Sequence, residues 1–171
     1  MLIINTGGTF NKRYNPLKGE LEVPKDSIAL DGILKYFYNL EYELINIIHK
    51  DSLDILDCDR KDIVKTIKNS NQDKILIIHG TDTMDKTAEF LNQNIIDKKI
   101  LLTGAMVPFN IDGIEASANL SMSIGYLLNV LEEGIYISMH GLVDNYKKVY
   151  KNREVGVFQR VTCKGSVKTT V

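Results

Sequence analysis

The sequence predicts an α/β fold: a doubly wound, mostly parallel sheet with helices on both faces. Three observations carry that prediction. Short apolar runs recur along the chain, at Leu2–Asn5, Leu44–Ile48, Ile75–Ile78, Ile100–Leu102 and Ile135–Met139. Segments with apolar residues at helical spacing separate most of them. The runs are near-continuous rather than alternating, as expected of parallel strands covered on both faces. No repeat, low-complexity stretch or linker interrupts the pattern, so the 171 residues read as one domain.

In chain order, Leu2–Asn5 is the first strand and stops at Gly7-Gly8. Asn11 to Glu22 holds Asn15-Pro16 and Gly19 and reads as a loop, with Tyr14 inside it. Pro24 to Leu40 reads as a helix with Ile28, Leu34 and Phe37 on one side. Leu44–Ile48 is the second strand and runs into His49-Lys50-Asp51-Ser52. Asp59 is placed to cap a helix over Arg60 to Asn69, whose Ile63, Val64 and Ile67 share a face. Ile75–Ile78 breaks into His79-Gly80-Thr81-Asp82-Thr83, after which Met84, Ala88 and Leu91 mark the next helix. Ile100–Leu102 ends at Thr103-Gly104-Ala105. Residues 113 to 132 form a long helix carrying Leu120, Ile124, Leu127, Leu128 and Leu131. Ile135–Met139 is a further strand. Val149 to Lys151 and Val155 to Phe158 are β-like pieces around Asn152, forming a hairpin or an irregular tail.

Composition excludes several functions. The formal net charge is -1, and no clustered basic face predicts nucleic-acid binding. Cys58 and Cys163 are too far apart in sequence to suggest a zinc site or a disulfide framework. His49, His79 and His140 are scattered and read as packed histidines rather than metal ligands. No apolar run approaches the roughly 20 residues that span a bilayer. The start, MLIINTGGT, has neither a basic region nor a long apolar core. These features lead to the expectation of an untargeted cytoplasmic protein with no membrane partner.

Parallel strands deliver their carboxyl ends to one edge, where ligands bind in open α/β sheets. Here that edge collects Thr6, Thr9, Ser52, Thr81, Asp82 and Thr103. Hydroxyls suit attack on a carbonyl once a base removes their proton. With no serine–histidine pairing evident, the base is a lysine, a carboxylate or a tyrosinate. Backbone N–H groups of Gly7-Gly8-Thr9 and Gly80-Thr81 are suited to bind an oxyanion. Each residue alone has a plainer reading: threonine as a turn or cap, Asp82 as a helix N-terminal acid, and Lys147, Lys148 and Lys151 as a solvated charge run. The third glycine of a dinucleotide fingerprint and the GK[ST] of a P-loop are both missing.

Taken together, the motifs resemble a known family. Thr6-Gly7-Gly8-Thr9 and His79-Gly80-Thr81-Asp82-Thr83-Met84 look like the two signature segments of the bacterial-type L-asparaginases. Thr103-Gly104-Ala105-Met106 with Pro108 is similar to a third segment, which Asp112-Gly113 and Asn119 continue. Asp51-Ser52-Leu53-Asp54 looks like the substrate-carboxylate loop. The resemblance covers about residues 2 to 158.

It implies hydrolysis of L-asparagine to L-aspartate and ammonia, with no metal or cofactor. Thr9 matches the nucleophile and Tyr14 its activating tyrosine. Thr81, Asp82 and Lys151 match a second triad, with Lys147 and Lys148 as competing lysines. Ser52 matches the group holding the substrate α-carboxylate, and Asp82 also matches the group holding the α-ammonium. Gly8 and Gly80 border the substrate, and Ala105 borders its amide. The resemblance further implies a homodimer or homotetramer.

Three departures stand out. The chain ends at Val171, where long members begin a C-terminal domain, so it resembles a short single-domain form. Leu53 stands where long members often carry a glutamine on the substrate amine. Val107 replaces a usual arginine. The rival readings are an amidase acting on another small amide, such as glutamine or D-asparagine, and a non-catalytic amino-acid-binding module.

Overall fold

A computed structural model describes residues 1–161. Six strands form the main sheet in the order β4-β1-β5-β6-β7-β8. They are β1 (Leu2–Gly7), β4 (Glu43–Lys50), β5 (Lys74–Ile78), β6 (Lys99–Thr103), β7 (Gly134–Met139) and β8 (Leu142–Asn145). The first five are mutually parallel, and β8 runs antiparallel to β7. The helices are α1 (Ile28–Leu34), α2 (Asp57–Asn69), α3 (Met84–Asn94) and α4 (Gly113–Asn129). Two small hairpins stand apart: β2 (Arg13–Asn15) with β3 (Glu20–Glu22), and β9 (Val149–Asn152) with β10 (Val157–Arg160).

The apolar runs explain the layering. Successive strand residues face opposite sides, so each continuous run supplies two cores. Ile4, Ile75, Ile77, Ile100, Leu102 and Ile137 pack with Ile63 and Ile67 of α2 and Leu91 of α3. Ile3, Leu76, Ile78 and Leu101 pack with Leu30 of α1 and Leu120 and Ile124 of α4 on the other face. The sheet is therefore doubly wound, as the sequence predicts.

Several boundaries differ from expectation. The helix expected over Pro24 to Leu40 is confined to Ile28–Leu34. Beyond it, Tyr36 and Phe37 bond three residues back, to Ile33 and Leu34, and the helix tightens and stops. The loop at Asn11 to Glu22 contains the β2–β3 hairpin. Asp59 is not the cap of α2 but lies inside it, accepting the Leu56 N–H at 2.8 Å and pairing with Lys50. Helix α4 ends at Asn129 rather than 132, because Val130 turns to extended backbone, and Leu131 is left exposed. Strand β8 was not expected. The tail resolves as a hairpin, with Val155 in its turn rather than in a strand. Cys163 lies outside the described residues. Among the described residues, no helix is long and apolar enough to cross a membrane, and no cluster of His, Cys, Asp and Glu could hold a metal ion.

Candidate active site

The parallel strands follow the chain order 2-1-3-4-5, so β4 lies on one side of β1 and β5 on the other. The connections leave β1 and β5 in opposite directions, opening a crevice beyond their carboxyl ends. The Gly8-Thr9 turn and the Gly80-Thr81 turn occupy that point.

These turns touch backbone to backbone. Gly8 has φ +73, and a Cβ on it would lie 2.5 Å from the Cα of Gly80. A Cβ on Gly80 would in turn lie 2.6 Å from the Cβ of Ser52. Only glycine permits both approaches. Three strand ends, from β1, β5 and β4, are thereby stacked, and Gly8 N–H donates to the Lys50 carbonyl at 2.9 Å.

The hydroxyls divide into two groups. Thr6 donates to the Ile78 carbonyl, Thr103 to that of Ser138 and Thr83 to that of Ser52, so these three tie strand ends together. Thr81 is placed differently. Its Oγ1 accepts from Lys151 Nζ at 2.9 Å and lies 3.3 Å from the Met106 sulfur. Lys151 Nζ also donates to Asp82 Oδ1 at 2.9 Å. Of the three tail lysines, Lys151 is the one drawn inward, its side chain 13% exposed, whereas Lys148 is 68% exposed against Asp144. Thr9 starts a short 3-10 turn, and its hydroxyl has no hydrogen-bond partner among the described residues. Tyr14 is brought to the exposed face of the β2–β3 hairpin, 61% exposed and opposite Leu21, with no hydrogen bond to Thr9.

Ser52 is buried, and its Oγ accepts the Asp82 N–H at 3.1 Å. A hydroxyl accepts and donates at once, so its O–H stays available to a carboxylate. Beside it, Lys12 pairs with Asp51. Burial works against the charged Asp51, but the Lys12 ammonium and the Leu53 N–H hold its carboxyl below the usual value. Leu53 itself is 68% exposed and Ala105 is fully buried.

His79 is the packed histidine the sequence suggested, with a definite task. Its Nδ1 lies 2.7 Å from the Gly80 carbonyl and its Nε2 lies 2.8 Å from Thr87 Oγ1. The carbonyl can only accept, so Nδ1 carries the proton and Nε2 accepts from Thr87. Burial pushes the His79 pKa down to about 4. A neutral imidazole thus pins the turn that carries Thr81.

Sequence reasoning missed four groups. Arg153 donates to Asp82 Oδ1 at 3.0 Å and to the Asp82 carbonyl at 2.8 Å. It opens the hairpin turn just past β9, and its place two residues beyond Lys151 was the available signal. Met106 touches Thr81. Glu115 accepts the backbone N–H groups of Met106 and Val107 and faces His140. No local motif marks Glu115 or His140.

A threonine, a lysine and an aspartate in hydrogen-bond contact, on a turn packed against a second threonine turn, is a constellation suited to acyl transfer. The family description "Asparaginase, N-terminal" matches residues 1–164. The chain belongs to the asparaginase family. L-asparaginase 2 of Bacillus subtilis (strain 168) is 24% identical over 128 residues, covering 69% of this chain and 34% of that protein. The thermostable L-asparaginase from Thermococcus kodakarensis superposes with a TM-score of 0.80 at 25% identity, over 94% of this chain and 50% of its own. A probable cytoplasmic L-asparaginase from Campylobacter jejuni gives 0.73 at 25% identity, over 93% of this chain and 52% of its own. The chain therefore spans about a third to a half of the length of these relatives.

Proposed function

We propose that the chain hydrolyses L-asparagine to L-aspartate and ammonia through a threonine acyl-enzyme. The observation that carries this reading is the contact of Lys151 Nζ with both Thr81 and Asp82, on a turn stacked against Gly8-Thr9. Thr9 Oγ1 attacks the side-chain amide carbon and the C–N bond breaks, releasing ammonia. Water then cleaves the ester, restoring Thr9 and yielding aspartate. Once the β2–β3 hairpin folds inward over the substrate, Tyr14 relays the Thr9 proton, its oxygen receiving that proton as its own O–H proton passes to the departing amide nitrogen. Lys151 here donates two hydrogen bonds, so it acts as a base through Thr81 only after giving up a proton. The Ser52 O–H receives the α-carboxylate, Asp82 holds the α-ammonium, and the Gly8 and Gly80 backbones and Ala105 line the amide end. Assembly as a homodimer or homotetramer belongs to the same reading.

The test is ammonia release from L-asparagine by wild type, Thr9→Ala and Thr81→Ala. Both variants should be silent. Equal release by wild type and Thr9→Ala would remove Thr9 as nucleophile.

A second reading is an amidase for another small amide. It is favoured by the exposed Leu53 and by Arg153, which already occupies Asp82 where a substrate ammonium would bind. Turnover of glutamine or D-asparagine above that of L-asparagine would select it.

A further inference from the structure

His140 is the one described non-glycine residue with positive φ, at +52, and Gly141 follows at +80. The two form the turn between β7 and β8, whose Met139 and Leu142 are paired. That geometry ordinarily selects Asn-Gly, and a histidine there works against backbone preference. What the histidine contributes is its ring.

The Phe158 backbone N–H points at His140 Nδ1 at 3.2 Å, and Nε2 lies 2.9 Å from Glu115 Oε1. A backbone N–H can only donate, so Nδ1 is bare and Nε2 carries the ring proton. The contact with Glu115 is then a hydrogen bond from a neutral imidazole. The ring also stands edge-on to the Phe158 ring, with centroids 5.8 Å apart and planes at 88°. Phe158 is the direct cross-strand partner of Lys151. On the other side, the Glu115 carboxylate accepts from Met106 N–H at 2.9 Å, and the Met106 sulfur lies 3.3 Å from Thr81 Oγ1. The links run from Thr81 through Met106, Glu115, His140 and Phe158 to Lys151, and the Lys151–Thr81 hydrogen bond closes them into a ring.

We infer that His140 and Glu115 are positioning residues, setting the distance between Lys151 Nζ and Thr81 Oγ1 by holding both sides of that ring at once. The ring stands on geometry alone. Its effect on turnover rests on the proposed hydrolysis.

Two variants separate the ring contacts from the turn. His140→Gly keeps the positive φ and removes both contacts. His140→Asn also keeps the φ and offers Oδ1 to the Phe158 N–H. The first measurement needs no turnover: acetylation of Lys151 by acetic anhydride, read by mass spectrometry against exposed Lys65, together with hydrogen exchange at the Phe158 amide. In His140→Gly both should speed up by about three- to tenfold, the factor equivalent to one ordinary hydrogen bond. In His140→Asn both should return most of the way to wild type.

The second measurement is kinetic: kcat for asparagine should fall by about tenfold in His140→Gly, with KM within about twofold of wild type. Unchanged Lys151 labelling and Phe158 exchange in His140→Gly would overturn the inference, whatever happens to kcat. Should His140→Gly not fold, Glu115→Gln carries the labelling test with the same expectation and the same refutation. If wild type releases no ammonia, the proposed hydrolysis fails, while the labelling result still decides this one.

Discussion

A Cβ on Gly8 would stand 2.5 Å from the Cα of Gly80, and one on Gly80 would stand 2.6 Å from the Cβ of Ser52. No side chain lies between the three turns, and the obstructing atoms are backbone and a buried serine, which have little room to yield. Gly80→Ala should therefore destabilise the protein by about 1–3 kcal/mol, as overpacking usually does. Gly125 is the control. A Cβ there meets nothing within 4 Å, on an exposed position of α4. Gly125→Ala should stabilise by about 0.5–1 kcal/mol. Urea unfolding midpoints measure both.

Lys151→Met should leave the sheet intact and reduce ammonia release by about 10²–10⁴, the range ordinarily lost with an acid–base group. Thr81→Ser keeps the oxygen that meets Lys151 and should retain more activity than Thr81→Val. Equal activity in those two variants would show that the Thr81 hydroxyl has no chemical part.

In the proposed reaction Arg153 and the substrate ammonium compete for Asp82. The Arg153 side chain is 60% exposed, so the pair is screened and weak. Arg153→Gln should lower KM for asparagine by about two- to fivefold, consistent with an exposed pair of under about 1 kcal/mol. The gap should narrow at about 0.5 M salt. A raised KM would instead assign Arg153 to the substrate carboxylate.

Four of the five parallel strands were readable because buried parallel strands are written as continuous apolar runs, whereas β4, the edge strand, buries only Ile48 and was legible from its apolar residues around Asn46. The glycine turns were readable because they follow those runs at once. Strand β8 was not, since Leu142–Asn145 has two apolar residues and owes its place to pairing with β7. The end of α4 was misread because Leu131 continues the apolar spacing, although the backbone has already left the helix. Among the site residues, Lys151 was separable from Lys147 and Lys148 only through the family resemblance, since all three sit in one charged stretch. Contacts such as Glu115 with His140 join residues 25 positions apart and leave no local pattern.

His79 gives a pH signature. Its pKa is about 4 in the fold, against an ordinary 6.5, because burial excludes the charged ring. Between those values the unfolded chain binds a proton that the folded chain does not, so stability falls as pH drops from 6.5 towards 4. The full loss is on the order of 3 kcal/mol. His79→Gln should show a shallower decline across this window than wild type. Denaturation curves at several pH values, compared between the two proteins, isolate the histidine from the carboxylates that titrate alongside it.

The β9–β10 hairpin follows every strand of the main sheet in the chain, and it alone supplies Lys151. A ribosome making this polypeptide completes both threonine turns well before the amine that reaches Thr81 and Asp82. A nascent chain halted ahead of residue 149 would hold the crevice without that amine, so the proposed reaction waits on a segment translated after the whole main sheet.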